Sequence, residues 1–317
     1  MAERMTTRRM FLGDVIGAAG SIALSSALVR SAPAAQGEKL HVACNAYSWS
    51  VFYQRQGRNF DQSLDEGLAE VAASGLDGFE PSFADVAQVE RFAPLLKKHG
   101  LEMRSFYVNS LLHEADRADE SIRQILAVAP RAREVGARIV VTNPNPLAWG
   151  GAQDKNDEQL KVQAAALNRL GDELKKLGLT LAYHNHDMEL RQAAREFHHM
   201  MLGTDPTNVT LCLDAHWVYR GAGNSQVALF DVVRLYGKRI SELHLRQSLG
   251  GVWTEAFGPG DIDYRALAEA LRQASVRPHV VLEQAIETGS PNTMTPLEAF
   301  KESTKATRRL FTGIGAA

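Results

Sequence analysis

A unit of amphipathic helix, glycine and short apolar run recurs along this chain, and few folds accommodate it. It appears as Ala72-Ala73-Ser74-Gly75 before a run ending at Glu80, and as Lys97-Lys98-His99-Gly100 before one ending at Val108. Arg133-Glu134-Val135-Gly136 leads to Thr142, Lys175-Lys176-Leu177-Gly178 to Asn185, and Leu235-Tyr236-Gly237 to Leu245. Glycine just past a helix suits the left-handed position after its C-terminus, and Lys and Arg in the last turn complement the helix dipole. The runs that follow are too short for helices and are rich in β-branched residues or Leu, as parallel strands buried on both faces are. Further strands are predicted over Leu40–Asn45, Val209–Asp214 and His279–Gln284, with helices near 60–74, 85–99, 116–134, 157–177, 191–202, 226–236, 264–274 and 296–310. Eight strands alternating with helices, without a linker, predict a single-domain (β/α)8 TIM barrel. The doubly wound alternative lacks a G-x-G-x-x-G after its first strand.

The barrel does not use the whole chain. Arg8-Arg9 precede a weakly apolar stretch from Met10 to Val29, and Ala32-Pro33-Ala34 follows Arg30. This pattern reads as a twin-arginine export signal over residues 1–34, with the barrel over 35–317. Asp14 and the many Gly and Ser residues make the stretch too polar for a retained membrane anchor. Losing it removes four arginines and two acids, so the formal charge moves from −2 to −4, which gives no reason to bind nucleic acid. The expected partners are the twin-arginine translocase and a small uncharged sugar, and the location is periplasmic; association into a homo-oligomer is left open. The twin-arginine route carries folded proteins, and cytoplasmic loading controls which ion a weak site receives. Cys44 and Cys212 lie within apolar strand runs and are expected as buried free thiols.

Barrel enzymes place their chemistry at the C-terminal strand ends. Here His184, Asp214, His244 and Glu283 arrive from strands 5 to 8, two imidazoles and two carboxylates suited to a divalent ion. All four tryptophans follow strand ends on that face, so Trp49, Trp149, Trp217 and Trp253 are expected to stack on a sugar ring. Glu80, His216 and Arg246 are assigned to the substrate beside them, Arg246 to orient an oxyanion or carboxylate. His198-His199 sits on a helix and reads as packing and surface.

Tyr183-His184-Asn185-His186-Asp187-Met188-Glu189, Leu213-Asp214-Ala215-His216-Trp217, Leu243-His244-Leu245-Arg246, Gly258-Pro259-Gly260-Asp261 and Leu282-Glu283 follow in that order. Together they resemble the xylose isomerase-like TIM-barrel superfamily, which includes sugar-phosphate isomerases and epimerases, ketose 3-epimerases, inosose dehydratase and endonuclease IV. The resemblance implies one divalent ion, Mn²⁺ first, with Mg²⁺, Co²⁺ and Zn²⁺ also suited. Asp214, His244 and Glu283 match three of the epimerase ligands, whereas His184 stands where the epimerases carry Glu. That departure resembles the inosose dehydratase-like branch. It moves the second acid/base role to Glu189, with His186 next, opposite Glu283.

The resemblance implies metal-assisted proton transfer beside a carbonyl, through an enediolate, giving epimerisation or isomerisation of a sugar or ketosugar. Loss of a β-hydroxyl or β-alkoxy group would instead make it a dehydratase or a 3-keto-glycoside-cleaving lyase. A non-catalytic periplasmic sugar-binding protein is the reading from another class, since a binder would keep the tryptophans without needing the four ligands. An endonuclease IV-like phosphodiesterase would need a basic surface that the charge denies.

Overall fold

The computed structural model describes residues 39–314; the predicted export signal lies outside the described residues. The strands are β1 (Val42–Asn45), β2 (Gly78–Glu80), β3 (Ser105–Ser110), β4 (Ile139–Pro144), β5 (Thr180–His184), β6 (Val209–Asp214) and β7 (Ile240–Leu245). A short hairpin follows, β8 (Ser248–Leu249) with β9 (Val252–Trp253), and then β10 (His279–Leu282). Without the hairpin, eight parallel strands run in the order β2-β1-β10-β7-β6-β5-β4-β3. The Phe79 amide donates to the Glu102 carbonyl at 2.9 Å and the Tyr107 amide to the Pro81 carbonyl at 2.8 Å. These bonds join β2 to β3 and bring the sheet close to full closure, so the chain is a single-domain (β/α)8 barrel.

The helices are α1 (Ala46–Arg55), α2 (Leu64–Ala73), α3 (Val86–His99), α4 (Ala115–Val135), α5 (Asp157–Lys176), α6 (Arg191–Gly203), α7 (Ala215–Gly221), α8 (Gln226–Tyr236), α9 (Tyr264–Gln273) and α10 (Pro296–Phe311). The outer core forms where their apolar stripes meet the strands. In α5 the buried Leu160, Ala164, Leu167, Leu170 and Leu174 recur at helical spacing, and each buried leucine is worth about 1.5–3 kcal/mol. Gly171 lets the same helix approach the loop before β6, since a Cβ there would meet the Asn208 carbonyl oxygen. Of the five helix-ending glycines, Gly75, Gly100, Gly136 and Gly178 have positive φ, as expected. Gly237 is right-handed and opens a 3₁₀ turn.

Two helices depart from expectation, and both begin directly on a strand end. The Asn45 side chain accepts from the Tyr47 amide to cap α1, and the Asp214 side chain accepts from the Trp217 amide to cap α7. Caps of this kind satisfy amides that the first helical turn leaves free. Chain read as loop therefore turns helical as it leaves the barrel.

The barrel interior is polar for a fold usually filled with branched aliphatics. Alternate residues of a strand share a face, so His244 and Arg246 belong to the same inward row as Glu242. Val141, Ala182 and Cys212 form a small apolar plug nearby. Cys44 and Cys212 are free and buried. No helix among the described residues is long and apolar enough to cross a membrane.

Candidate active site

The C-terminal ends of the strands surround a cavity of about 560 Å³, whose walls include Asn45, Tyr47, Tyr107, Trp149, His186 and Glu283. At this end the ligand atoms of His184, Asp214, His244 and Glu283 all lie within 4.8 Å of one another. His184 Nε2 is 3.6 Å from Glu283 Oε2 and 3.8 Å from Asp214 Oδ2, and His244 Nδ1 is 3.0 Å from Glu283 Oε2. All four side chains are buried, Glu283 being the most exposed at 7%.

The donor set fits a divalent cation. Both ring nitrogens of His184 and Asp214 Oδ2 are buried without a hydrogen-bond partner. Groups orphaned in this way cost about 1–3 kcal/mol each, a cost that ligation removes. Asp214 already spends Oδ1 on the Trp217 amide at 2.7 Å, which leaves Oδ2 aimed at His184. Two imidazoles and two carboxylates suit a borderline or hard divalent ion.

Charge within the cluster is uneven. Burial pushes Asp214 up to about 7, with the Glu283 charge adding to it. Burial also opposes ionisation of Glu283, yet the Arg246 guanidinium and the two imidazoles hold it well below the usual carboxylate range. His184 is lowered by burial and by His244. Burial opposes protonation of His244, yet the neighbouring Cys212, then the Glu80 and Glu242 carboxylates, raise it. Its Nε2 lies 3.0 Å from Glu242 Oε1 and 3.4 Å from Glu80 Oε1. These two carboxylates sit one layer deeper and were not foreseen around His244.

Among the residues assigned to catalysis, Glu283 and His186 line the cavity and Glu189 does not. Glu189 Oε1 accepts from Asn143 Nδ2 at 3.1 Å and Oε2 from the His186 amide at 2.7 Å. Both oxygens are thus committed to holding the end of β5, so the expectation that Glu189 faces substrate is corrected: it positions His186. Burial, then the Glu196 charge, pushes it up to about 7. His186 is packed against Trp149, His184 and Trp217, with ring centroids 4.8–5.6 Å away. Burial and the His184 neighbour keep it neutral, and its Nδ1 has no partner.

On the substrate side, Trp149, Trp217 and Arg246 line the cavity. Trp49 does not; it lies on α1 with no exposed surface, stacked on Phe300 at 4.7 Å and donating to Cys44 Sγ. Trp253 is buried as well, with Arg246 4.1 Å and Arg220 5.0 Å from its ring centroid. Glu80 is buried beneath the site, accepting from Asn45 Nδ2 and Ser105 Oγ. His216 is buried against Ser248 Oγ at 3.1 Å. These four serve the walls rather than the cavity. Arg246 donates through Nε to the Glu283 carbonyl at 2.9 Å and pairs through Nη2 with Glu283 Oε2 at 3.2 Å, leaving Nη1 without a partner.

Residues 68–310 match the xylose isomerase-like TIM-barrel family. The chain belongs to this family. An inosose dehydratase from Clostridium perfringens is 24% identical over 256 residues, covering 70% of this chain and 82% of that protein. A sugar phosphate isomerase/epimerase from Parabacteroides distasonis superposes with a TM-score of 0.68 at 16% identity, covering 90% of this chain and 99% of that one. The IolI protein with a bound zinc atom superposes at 0.63 with 18% identity, covering 88% and all of its chain. This member of the family is an enzyme.

Lining residues not foreseen include Tyr47, Tyr107, Asn109 and Arg191. For Tyr107 and Asn109 the signal was present, since alternate residues of one strand share a face.

Proposed function

We propose that the chain is a divalent-metal-dependent sugar isomerase or epimerase that transfers a proton beside a carbonyl through an enediolate. The observation that carries this reading is the group of buried ligand atoms of His184 and Asp214, without protein partners, beside Glu283 and the free Nη1 of Arg246. A divalent ion held by His184, Asp214, His244 and Glu283 would polarise the carbonyl and neutralise negative charge developing beside it. The His186 imidazole, which lines the cavity and is kept neutral by burial, accepts the proton from the carbon next to the carbonyl. Arg246 directs Nη1 towards the developing oxyanion, its plane held against Trp253 and its Nη2 against Glu283. His186 and Glu283 come from β5 and the end of β10, two strands removed from adjacency, so they flank the reacting carbon from different sides of the barrel. Trp217 supplies a flat wall for the ring.

Elimination is the second reading, favoured by the inosose dehydratase relatives. The same proton abstraction, followed by loss of a β-hydroxyl group, gives dehydration. Mn²⁺ is the expected ion, loaded before export by the twin-arginine route to the periplasm, and replacing Arg8-Arg9 by lysines should retain the protein in the cytoplasm.

The test joins metal content to exchange. Purified protein should hold about one divalent ion and exchange a carbon-bound proton of a ketosugar or inosose with D₂O. Asp214→Asn, which keeps the helix cap, and His184→Ala should lose the ion. A new conjugated carbonyl absorbance marks elimination, and its absence with epimer formation marks the first reading. Protein without ion after reconstitution, or with no exchange into any of these sugars, would overturn the proposal.

A further inference from the structure

We propose that the outer half of the cavity is a subsite for a second group attached to the reacting ketosugar, so that the substrate is a keto-glycoside whose ring carbonyl supports the proton transfer and whose glycosidic oxygen carries an aryl group or a further sugar ring. This rests on the reading above, in which the reacting ring sits near Glu283 and Arg246.

Size is the first argument. At about 30 Å³ per water, the 560 Å³ cavity holds the equivalent of about nineteen waters, whereas a free hexose brings only twelve heavy atoms. A monosaccharide at the floor would leave much of the space wet. Pockets for small ligands normally bury most of the ligand against their walls, and here the walls continue past where one ring ends.

The distribution of chemistry is the second argument. Charged and metal-ligating groups gather at the floor, at Glu283, Arg246 and His186. Away from that floor the walls add two large aromatic rings beside the charged Asp187 and Arg191. Tyr47 is 47% exposed and Trp149 56% exposed, yet both line the cavity. Single exposed rings are ordinary on a protein surface, but these two are walls of one cavity, where a bound group would cover them. Their faces suit the C–H face of a sugar or an aryl ring. They stand apart around the rim, Tyr47 in the first turn after β1 and Trp149 in the loop after β4, with β2 and β3 between them.

Preorganisation is the third. The loop carrying Trp149 is fastened at several points. The Trp149 ring meets His186 edge-on at 5.0 Å, Arg191 Nη1 donates to the Gly151 carbonyl at 2.7 Å, and the buried Lys155 pairs with Glu196 at 2.7 Å. A ring exposed by half but fixed in place loses little freedom on binding. That is the property a stacking platform needs.

The test is calorimetric titration of the metal-loaded protein with glucose and galactose, their methyl α- and β-glycosides, the matching p-nitrophenyl glycosides, and maltose and cellobiose. One p-nitrophenyl glycoside or disaccharide should bind at least tenfold tighter than the methyl glycoside of the same sugar and anomer. Trp149→Ala and Tyr47→Ala should each reduce that ratio severalfold while metal content stays at about one ion. Equal affinities for methyl and aryl glycosides, or a preference that survives both substitutions, would overturn the subsite while leaving the metal-dependent proton transfer intact. Failure of every glycoside to bind would overturn the subsite alone, since D₂O exchange and metal content report on the proton-transfer reading separately.

Discussion

Glu242 should govern how well the site holds its ion although it never touches the cavity. Its Oε1 lies 3.0 Å from His244 Nε2, and neither side chain is exposed. A carboxyl oxygen at that distance accepts a hydrogen bond from Nε2–H and leaves the Nδ1 lone pair to face His184 and Glu283, the arrangement in which imidazole ligates well. Replacing Glu242 by Leu keeps the volume and removes the acceptor, and losing such an outer partner costs about 10–100-fold in metal affinity, or about 1.4–2.7 kcal/mol. Burial and the Glu80 charge push the Glu242 carboxyl up to about 8, so at neutral pH Gln imitates its protonated form. Glu242→Gln should therefore stay within about threefold of wild type. The assay is competition with a chromophoric chelator after stripping the ion, with thermal unfolding of the stripped variants run alongside. Because a ligand stabilises only the state that binds it, the Leu variant should also gain less on adding the ion. A Leu variant that binds as tightly as wild type, or a Gln variant weaker than Leu, would refute the argument that His244 is aimed from below.

The remaining predictions address the site walls and the barrel floor. Trp49→Ala should cost about 3–5 kcal/mol in denaturant unfolding, as core aromatic truncations do, while sugar binding stays unchanged; a binding defect without loss of stability would return Trp49 to the rim. Arg246→Lys keeps the charge but loses the plate against Trp253 and the second nitrogen on Glu283; exchange should slow about 10²–10³-fold with metal content preserved, and an unchanged rate would remove Arg246 from the oxyanion role. Burial, then the His41 neighbour, lowers His279 from 6.5 to about 3, so the fold excludes a proton that the unfolded chain takes up below pH 6.5. The stability this contributes is whole above that pH and is lost as the pH falls towards 3. His279→Leu should narrow the difference in unfolding free energy between pH 7 and pH 5 by about 2 kcal/mol; an unaltered difference would place the acid sensitivity elsewhere.

The barrel was legible because its signals are local. Glycine after a helix and an apolar run after glycine depend on nearest neighbours, and Gly75, Gly100, Gly136 and Gly178 all take positive φ. His184, Asp214, His244 and Glu283 were legible for a related reason, since a parallel barrel sends every strand end to one rim and assembles residues distant in sequence. Direction beyond the strand end is where the reading failed. Trp49 stands four residues after Asn45, and its nearness to the rim suggested a role there. Trp49, Phe52 and Tyr53 nonetheless recur at helical spacing, all buried on α1, and that stripe marks a helix turning back onto the core. Trp253 erred differently, since a two-residue hairpin folds it under Arg246, which no periodicity announces. Glu189 failed on a count of hydrogen bonds: two donors, Asn143 and the His186 amide, claim its two oxygens, and only coordinates reveal that. Glu242 was within reach of pattern, because stepping back two residues from any inward strand-end ligand names the side chain directly beneath it. For His244 that step lands on a carboxylate. A carboxylate buried there, with no solvent to charge against, has a physical reason to stay only if it serves the imidazole above it.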